Sequence, residues 1–379
     1  MTITANLRYA YNVLATPALR WAVAAGITTR LVQYAISSFF RAPSQWVSLM
    51  TRVNQLPGGQ TLLNLGPSFV VGFAVLARLL YSGYKPSHAT VDAYIRRENA
   101  GPGFNKEIDK NCTAVFCSNY PKDAGYDPFC DAYGYVETNQ VQIIAIADGC
   151  GLGHCSQQVA RAMVDGFFAS INPFNHQAAV EAKAFVLDAA QSAQKHLEKE
   201  HKKNEDKYAG ATTTFLGGKI FTALDGKRYF AGVNCGDCKL YHLTNTQFVE
   251  LTKPARTNTH DSGGRFGPGR DENDKTEYDF SVEVKSGDQL IFMTDGVHDN
   301  LDKNPGENEE LGAADARKLD TLQRFSKADD LGLQIMRYVF DYTRALFKAG
   351  SEGKNMKTLS KEDYPGKLDH MTLLVVKVS

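Results

Sequence analysis

The chain has no aspartate or glutamate before Asp92. Over the same stretch its bases stand singly, at Arg8, Arg20, Arg30, Arg41, Arg52, Arg78 and Lys85. If acids and bases were mixed here as in the rest of the chain, so long an acid-free stretch would be very improbable. An acid-poor, Arg-bearing segment rich in Ser, Thr and Ala has the composition of an organellar leader, mitochondria being the first expectation and the cytoplasm the alternative. The chain also lacks an unbroken apolar run long enough to span a bilayer. Its most apolar block, Thr61 to Tyr84, is interrupted at Asn64, Pro67 and Arg78. That block reads as a weak span, a helix lying in the interface, or a helix packed on the rest of the chain. Residues 1–91 are therefore expected to be a basic, helical and apolar extension that addresses or anchors the protein and carries no chemistry.

Net charge is lacking too: 42 acids balance 42 bases. Nothing in that balance points to nucleic acid as a partner. Cysteine is sparse and odd in number, seven in 379 residues without framework spacing, which fits a reducing compartment better than a disulfide scaffold. Cys235 and Cys238 form a CxxC, but no second pair follows at zinc-like spacing, so both read as small buried residues. There are no internal repeats.

What is present begins with a charged stretch, 92–119, holding Gly101, Pro102 and Gly103 and read as a linker to a soluble domain over 120–379. Val141–Ala147 is fully apolar and rich in β-branched residues, as a buried strand is. Asp148 ends that run, Gly149, Gly151 and Gly153 make a turn, and Val159, Ala160, Met163, Val164 and Phe167 then recur at helical spacing. A second helix is expected over His176–Lys203 and a third helical region over Asp320–Phe347. Strands are expected over Ala132–Glu137, Ala211–Phe215, Tyr229–Asn234, Lys239–Leu243, Phe248–Leu251, Phe280–Val284, Gln289–Thr294 and Met371–Val378. The polar, glycine-rich stretch Arg256–Asp274 reads as a surface loop. Short strands at hairpin spacing with a few long helices imply an α+β domain rather than alternating βαβ winding.

Two chemistries compete for residues 148–153. The glycine loop after a strand resembles the opening motif of S-adenosylmethionine methyltransferases, where backbone amides at a helix N-terminus hold the ligand. The second chemistry uses the acid itself. Asp131, Asp148, Asp237, Asp295 with Asp299, and Asp369 stand in short motifs, and Asp148, Asp295 and Asp369 each abut an apolar strand. One such aspartate is commonly a turn-former or cap. Several converging would repel one another unless a cation sat between them, and hard divalent ions suit oxygen ligands.

In order, ADG, GATTTF, VNCGDCKLYHL, MTDGVHDNL and LDHMTLLVV resemble the metal-dependent serine/threonine protein phosphatases of the PP2C (PPM) family, over about residues 120–379. The resemblance implies a β-sandwich of two antiparallel sheets flanked by helix pairs. It implies two Mg²⁺ or Mn²⁺ ions, with Asp148 bridging them, the Gly149 carbonyl on one, and Asp295 and Asp369 completing a shell. Asp148, Asp295 and Asp369 would be the catalytic acids. Asp131 matches an acidic position acting through water, and Asp237 and Asp299 match positions tied to a third, looser ion in some members. The substrate implied is a phosphoprotein, hydrolysed by a water activated between two ions, with Cys150 a spectator.

Four departures stand out. Cys130 precedes Asp131 where members often carry an acid; GYDPF offers no phosphate-gripping base; Cys150 replaces a histidine, with His154 one turn on; and His370 replaces asparagine. These leave open removal of another phosphoryl-linked group, such as a nucleotidyl modification, and a non-catalytic binding role on the same fold.

Overall fold

The computed structural model describes residues 105–379, save residue 110 and residue 119, 121–127, 139–140, residue 152, 172–177, residue 246, 254–261, 272–273, residue 275, 303–310, 356–357 and 361–362. The extension over 1–91, with its targeting and membrane readings, lies outside the described residues. Among the described residues no helix is long and apolar enough to cross a membrane.

Eleven described strands form two antiparallel sheets. In chain order they are β1 (Asn105–Asp109), β2 (Cys112–Ser118), β3 (Ala132–Glu137), β4 (Val141–Cys150), β5 (Thr212–Thr222), β6 (Arg228–Cys235), β7 (Lys239–Thr244), β8 (Gln247–Glu250), β9 (Tyr278–Val284), β10 (Gln289–Met293) and β11 (His370–Lys377). One sheet runs β1-β2-β11-β10-β7-β8, the other β3-β4-β5-β6-β9. The helices are α1 (His154–Ser170), α2 (Ala179–His201), the single turns α3 (Glu205–Tyr208) and α4 (Asp295–His298), α5 (Leu311–Gln323) and α6 (Leu331–Ser351).

The alternation of β4 explains the layering. Ile143, Ala145 and Ala147 pack on α1 and α2 with Val159, Met163, Phe167, Val186 and Leu197. Ile144 and Ile146 point the other way, to Phe292, Leu240 and Leu374 of the second sheet. A strand buried on both faces has to be apolar at every position, which is what the run Val141–Ala147 is. The far face of the second sheet, with Val115, Ile291, Met293 and Leu373, meets Ile335, Met336 and Val339 of α6. Each fully buried side chain of this size contributes roughly 1.5–3 kcal/mol. The result is helix pair, sheet, sheet, helix pair, as the sequence led us to expect.

Four local expectations need correction. Residues 105–118 are not linker: β1 and β2 continue the six-stranded sheet, β2 pairing with β11 from His370↔Ser118 to Val376↔Cys112. The strand β4 does not stop at Asp148; it runs to Cys150, with Asp148 opposite Thr214 and Gly149 opposite Thr213. The stretch 256–274 is not all surface, because Phe266 is fully buried and bridges Thr213. The helical region 320–347 is two helices, α6 starting afresh where the Asp330 side chain accepts from Leu333 N at 3.4 Å. All seven cysteines are free; Cys235 and Cys238 are buried as small core residues, with Cys238 Sγ 3.2 Å from Thr214 Oγ1.

Candidate metal centre

The acids gather where strands of both sheets end. Asp131 precedes β3, Asp148 lies near the end of β4, Asp295 follows β10 as the first residue of α4, and Asp369 precedes β11. The same alternation that aims Ile144 and Ile146 between the sheets gives Asp148 that direction too. Asp131 is fully buried, and one of its oxygens, Oδ2, accepts from Thr294 Oγ1 at 3.0 Å. Thr294 Oγ1 in turn accepts from Thr372 N at 3.0 Å. Asp369 Oδ1 accepts from His370 N at 2.9 Å. Gly149 sits where no side chain fits: a Cβ there would come within 2.6 Å of the Ser156 carbonyl oxygen and 2.9 Å of that of Cys130.

The electrostatics follow from crowding like charges in a dry place. Burial, then the charges of Asp369 and Asp295, push Asp131 up to about 8. Asp148 is pushed well above the ordinary carboxylate value by burial, then by Asp295, Asp131 and Asp369. Burial, then Asp295, raise Asp369 to about 7. Burial works the same way on Asp295, but the Lys367 ammonium beside it brings this carboxyl below its usual value. Lys367 Nζ pairs with both Asp295 Oδ2 and Asp369 Oδ2, the latter at 2.7 Å.

The donor chemistry fits hard divalent ions. The donors are oxygens alone, and among the described residues the buried Asp295 Oδ1 meets no hydrogen-bond donor, while Asp131 has only the Thr294 and Thr372 hydroxyls beside it. A dication would satisfy the Asp295 oxygen and relieve the repulsion. Among the described residues no group of three or more Asp, Glu, His or Cys side chains stands placed to hold a metal ion. An ammonium lies on two of the carboxylates instead.

The two positions matched to a third ion differ from these. Asp237 is buried and its carbonyl accepts from His298 Nε2 at 2.8 Å. The Asp299 carboxylate accepts from Lys318 Nζ of α5 at 3.1 Å and lies 3.1 Å from His298 Nδ1. Of the departures, Cys150 has its thiol pushed up to about 11, chiefly by burial, so it is not a thiolate at neutral pH. His154 is exposed at the start of α1. His370 is buried, its Nδ1 accepting from Cys130 N at 3.2 Å and its ring 4.7 Å from that of Phe129 and 5.2 Å from that of Tyr120. It braces the strand end from which Asp369 projects.

Sequence reasoning missed Thr294, Thr372, Lys367 and Asn300. Asn300 is fully buried; its Nδ2 donates to the Gly296 carbonyl at 2.8 Å and to the Lys367 carbonyl at 3.0 Å, and its Oδ1 accepts from Lys367 N at 2.8 Å. The available signal was position alone, since each lies within six residues of a candidate acid.

A sequence model of the protein phosphatase 2C family matches residues 127–330, more than half of the chain. No curated protein matches by sequence. Among solved structures, the chain is similar to the serine/threonine phosphatase PstP/Ppp of Mycobacterium tuberculosis, at 15% identity over 71% of this chain and 98% of that one, with a TM-score of 0.46. It is similar to the serine/threonine phosphatase Stp1 of Staphylococcus aureus at 14% identity, over 74% and 99%, with a TM-score of 0.49. It is also similar to the serine/threonine phosphatase of S. agalactiae at 13% identity, over 71% and 100%, with a TM-score of 0.47.

Proposed function

The chain belongs to the protein phosphatase 2C family, and from that premise we propose that it hydrolyses phosphoserine and phosphothreonine on proteins with the help of divalent metal ions. The observation that carries this reading is the mutual crowding of Asp131, Asp148, Asp295 and Asp369 at one end of the sandwich. These four carboxylates and the Gly149 carbonyl would hold Mg²⁺ or Mn²⁺, with Asp237 and Asp299 within the surrounding shell. Bound there, a pair of such ions would supply the positive charge and the acidification of water that phosphoryl hydrolysis needs. The chain's own part is to keep the acids dry and fixed: Thr294 holds Asp131 and the His370 amide holds Asp369. A cysteine nucleophile is not needed, in keeping with the raised Cys150 thiol.

Phosphate release from phosphoserine and phosphothreonine peptides, measured with Mn²⁺ and again with excess chelator, tests the reading. Release that depends on Mn²⁺ and stops with chelator is expected. No release from either peptide, with or without metal, would remove the assigned substrate class.

We also propose that residues 1–91 direct the chain to an organelle or hold it on a membrane, on the strength of their acid-free composition. Fused to a fluorescent protein, residues 1–90 should leave the cytosol; a diffuse cytosolic signal would refute this.

A further inference from the structure

Lys367 stands two residues before Asp369 and brings an ammonium onto both the Asp295 and the Asp369 carboxylate. Its main chain cannot follow its side chain, because the buried Asn300 amide grips both Lys367 N and Lys367 O. The same Asn300 holds the carbonyl of Gly296, next to Asp295, so the base of the lysine is fixed relative to the acid it pairs with. The side chain beyond is 42% exposed. A four-carbon stem of that kind can swing its charge out to solvent while its backbone stays put. The atoms the ammonium covers, Asp295 Oδ2 and Asp369 Oδ2, belong to the carboxylates that the proposed function gives to a dication. Two cations held by the same carboxylate oxygens at hydrogen-bonding range repel strongly in so buried a place.

We propose, resting on the metal-dependent reading above, that Lys367 is the resident counter-cation of the metal-free site and is displaced when a divalent ion enters. The lysine then has opposite effects on the two states. Without metal it neutralises part of the carboxylate cluster and keeps the end of the sandwich folded. Toward metal it is a competitor, so the affinity of the site is weaker than the carboxylates alone would give. A lysine serving only to support the fold would act in one direction, its loss weakening both stability and metal binding.

The test is a calorimetric titration of Mn²⁺ into the full-length, chelator-stripped protein, comparing wild type with Lys367→Gln and Lys367→Arg. Lys367→Gln should bind Mn²⁺ at least tenfold more tightly while melting lower when stripped; Lys367→Arg, which keeps the charge, should stay within about threefold of wild type. A measurement on the wild type alone keeps the question open to refutation if Lys367→Gln does not survive stripping. Acylation of Lys367 by an amine-reactive ester, read by mass spectrometry, should be slow without metal and rise severalfold when Mn²⁺ is added. Equal or weaker binding by Lys367→Gln, or labelling that does not change with Mn²⁺, overturns the proposal. If wild type hydrolyses phosphopeptides with Mn²⁺ while either of those results is obtained, the proposed function stands and the lysine's role alone falls. If neither wild type nor variant binds Mn²⁺, both fall together.

Discussion

Thr294 Oγ1 donates to Asp131 Oδ2 at 3.0 Å, joining the residue that follows β10 in one sheet to the residue that precedes β3 in the other. The same oxygen accepts from Thr372 N, so one hydroxyl ties three strand ends at the mouth of the sandwich. Thr294→Val keeps the shape and removes the hydroxyl. Asp131 and the Thr372 amide then lose a partner in a buried place, at a cost of about 1–3 kcal/mol. Thermal melting of the metal-free protein should fall by several degrees; an unchanged melting temperature would mean that the bond carries no weight.

The raised carboxyls make metal-free stability depend on pH with a definite sign. Asp131 at about 8, Asp369 at about 7 and Asp148, also raised, keep protons when folded that an unfolded carboxyl near 3.8 has released. Between those values the folded state binds more protons, so stability is present at the acid end and lost as pH rises. Asp295, held low beside Lys367, acts in the opposite sense, its contribution being lost only as pH falls below about 3.8. With chelator, the protein should therefore melt higher near pH 5 than near pH 8. Mn²⁺ should narrow or invert that order, because metal binding needs the acids deprotonated. Chelator-treated protein that melts higher near pH 8 would contradict the charge account.

Gly296 lets α4 lie against the start of β11. A Cβ there would come within 2.0 Å of the His370 carbonyl oxygen and 2.9 Å of Asp369 Cβ. Backbone cannot give way as a side chain end can, so Gly296→Ala should cost on the order of 3 kcal/mol. For a domain of this size that is roughly 2–4 °C of melting temperature for each kcal/mol. Asp295 and Asp369 should also lose register, weakening Mn²⁺ binding in the same variant. Melting and calorimetry that match wild type would show that the approach is not tight.

Much of this was readable in the chain because β4, α1 and α2 carry their burial in their periodicity. Strands buried on both faces are apolar throughout, and helices on one face show a stripe, as Ala182, Val186, Ala189, Ala193 and Leu197 do. The strands over 105–118 were missed for a physical reason. The edge strand β1 reads NKEID, and charge on an edge is how a sheet avoids pairing with other chains, yet the same charge makes a sequence look like linker. Of the candidate acids, Asp148, Asp295 and Asp369 were conspicuous in the sequence because each abuts an apolar strand, and Asp131 was singled out by the family resemblance. Lys367 and Asn300 could not, since a long-range ion pair or amide clamp leaves no periodic trace in the residues around it.

Cys150 abuts the site, but its thiol lies too high to supply a thiolate. Cys150→Ser should keep most of the turnover, followed as p-nitrophenyl phosphate hydrolysis with Mn²⁺. Alkylation of the wild-type thiol would slow the reaction only by blocking access. A phosphocysteine trapped during turnover would replace the water-based account with a covalent one.

Asp148 is the residue on which the whole reading turns, since it is crowded by Asp295, Asp131 and Asp369 together. Its replacement by asparagine keeps the size of the side chain and removes the charge, and the metal-free fold should melt no lower than wild type because repulsion is relieved. The most direct measurement is the steady-state rate of Mn²⁺-dependent phosphoserine-peptide hydrolysis by wild type and by Asp148→Asn, both shown to be folded. The expected result is a rate in wild type that chelator abolishes and that Asp148→Asn lowers by orders of magnitude. A folded Asp148→Asn protein that hydrolyses the peptide at the wild-type rate would contradict the assignment of this carboxylate cluster as the catalytic metal centre.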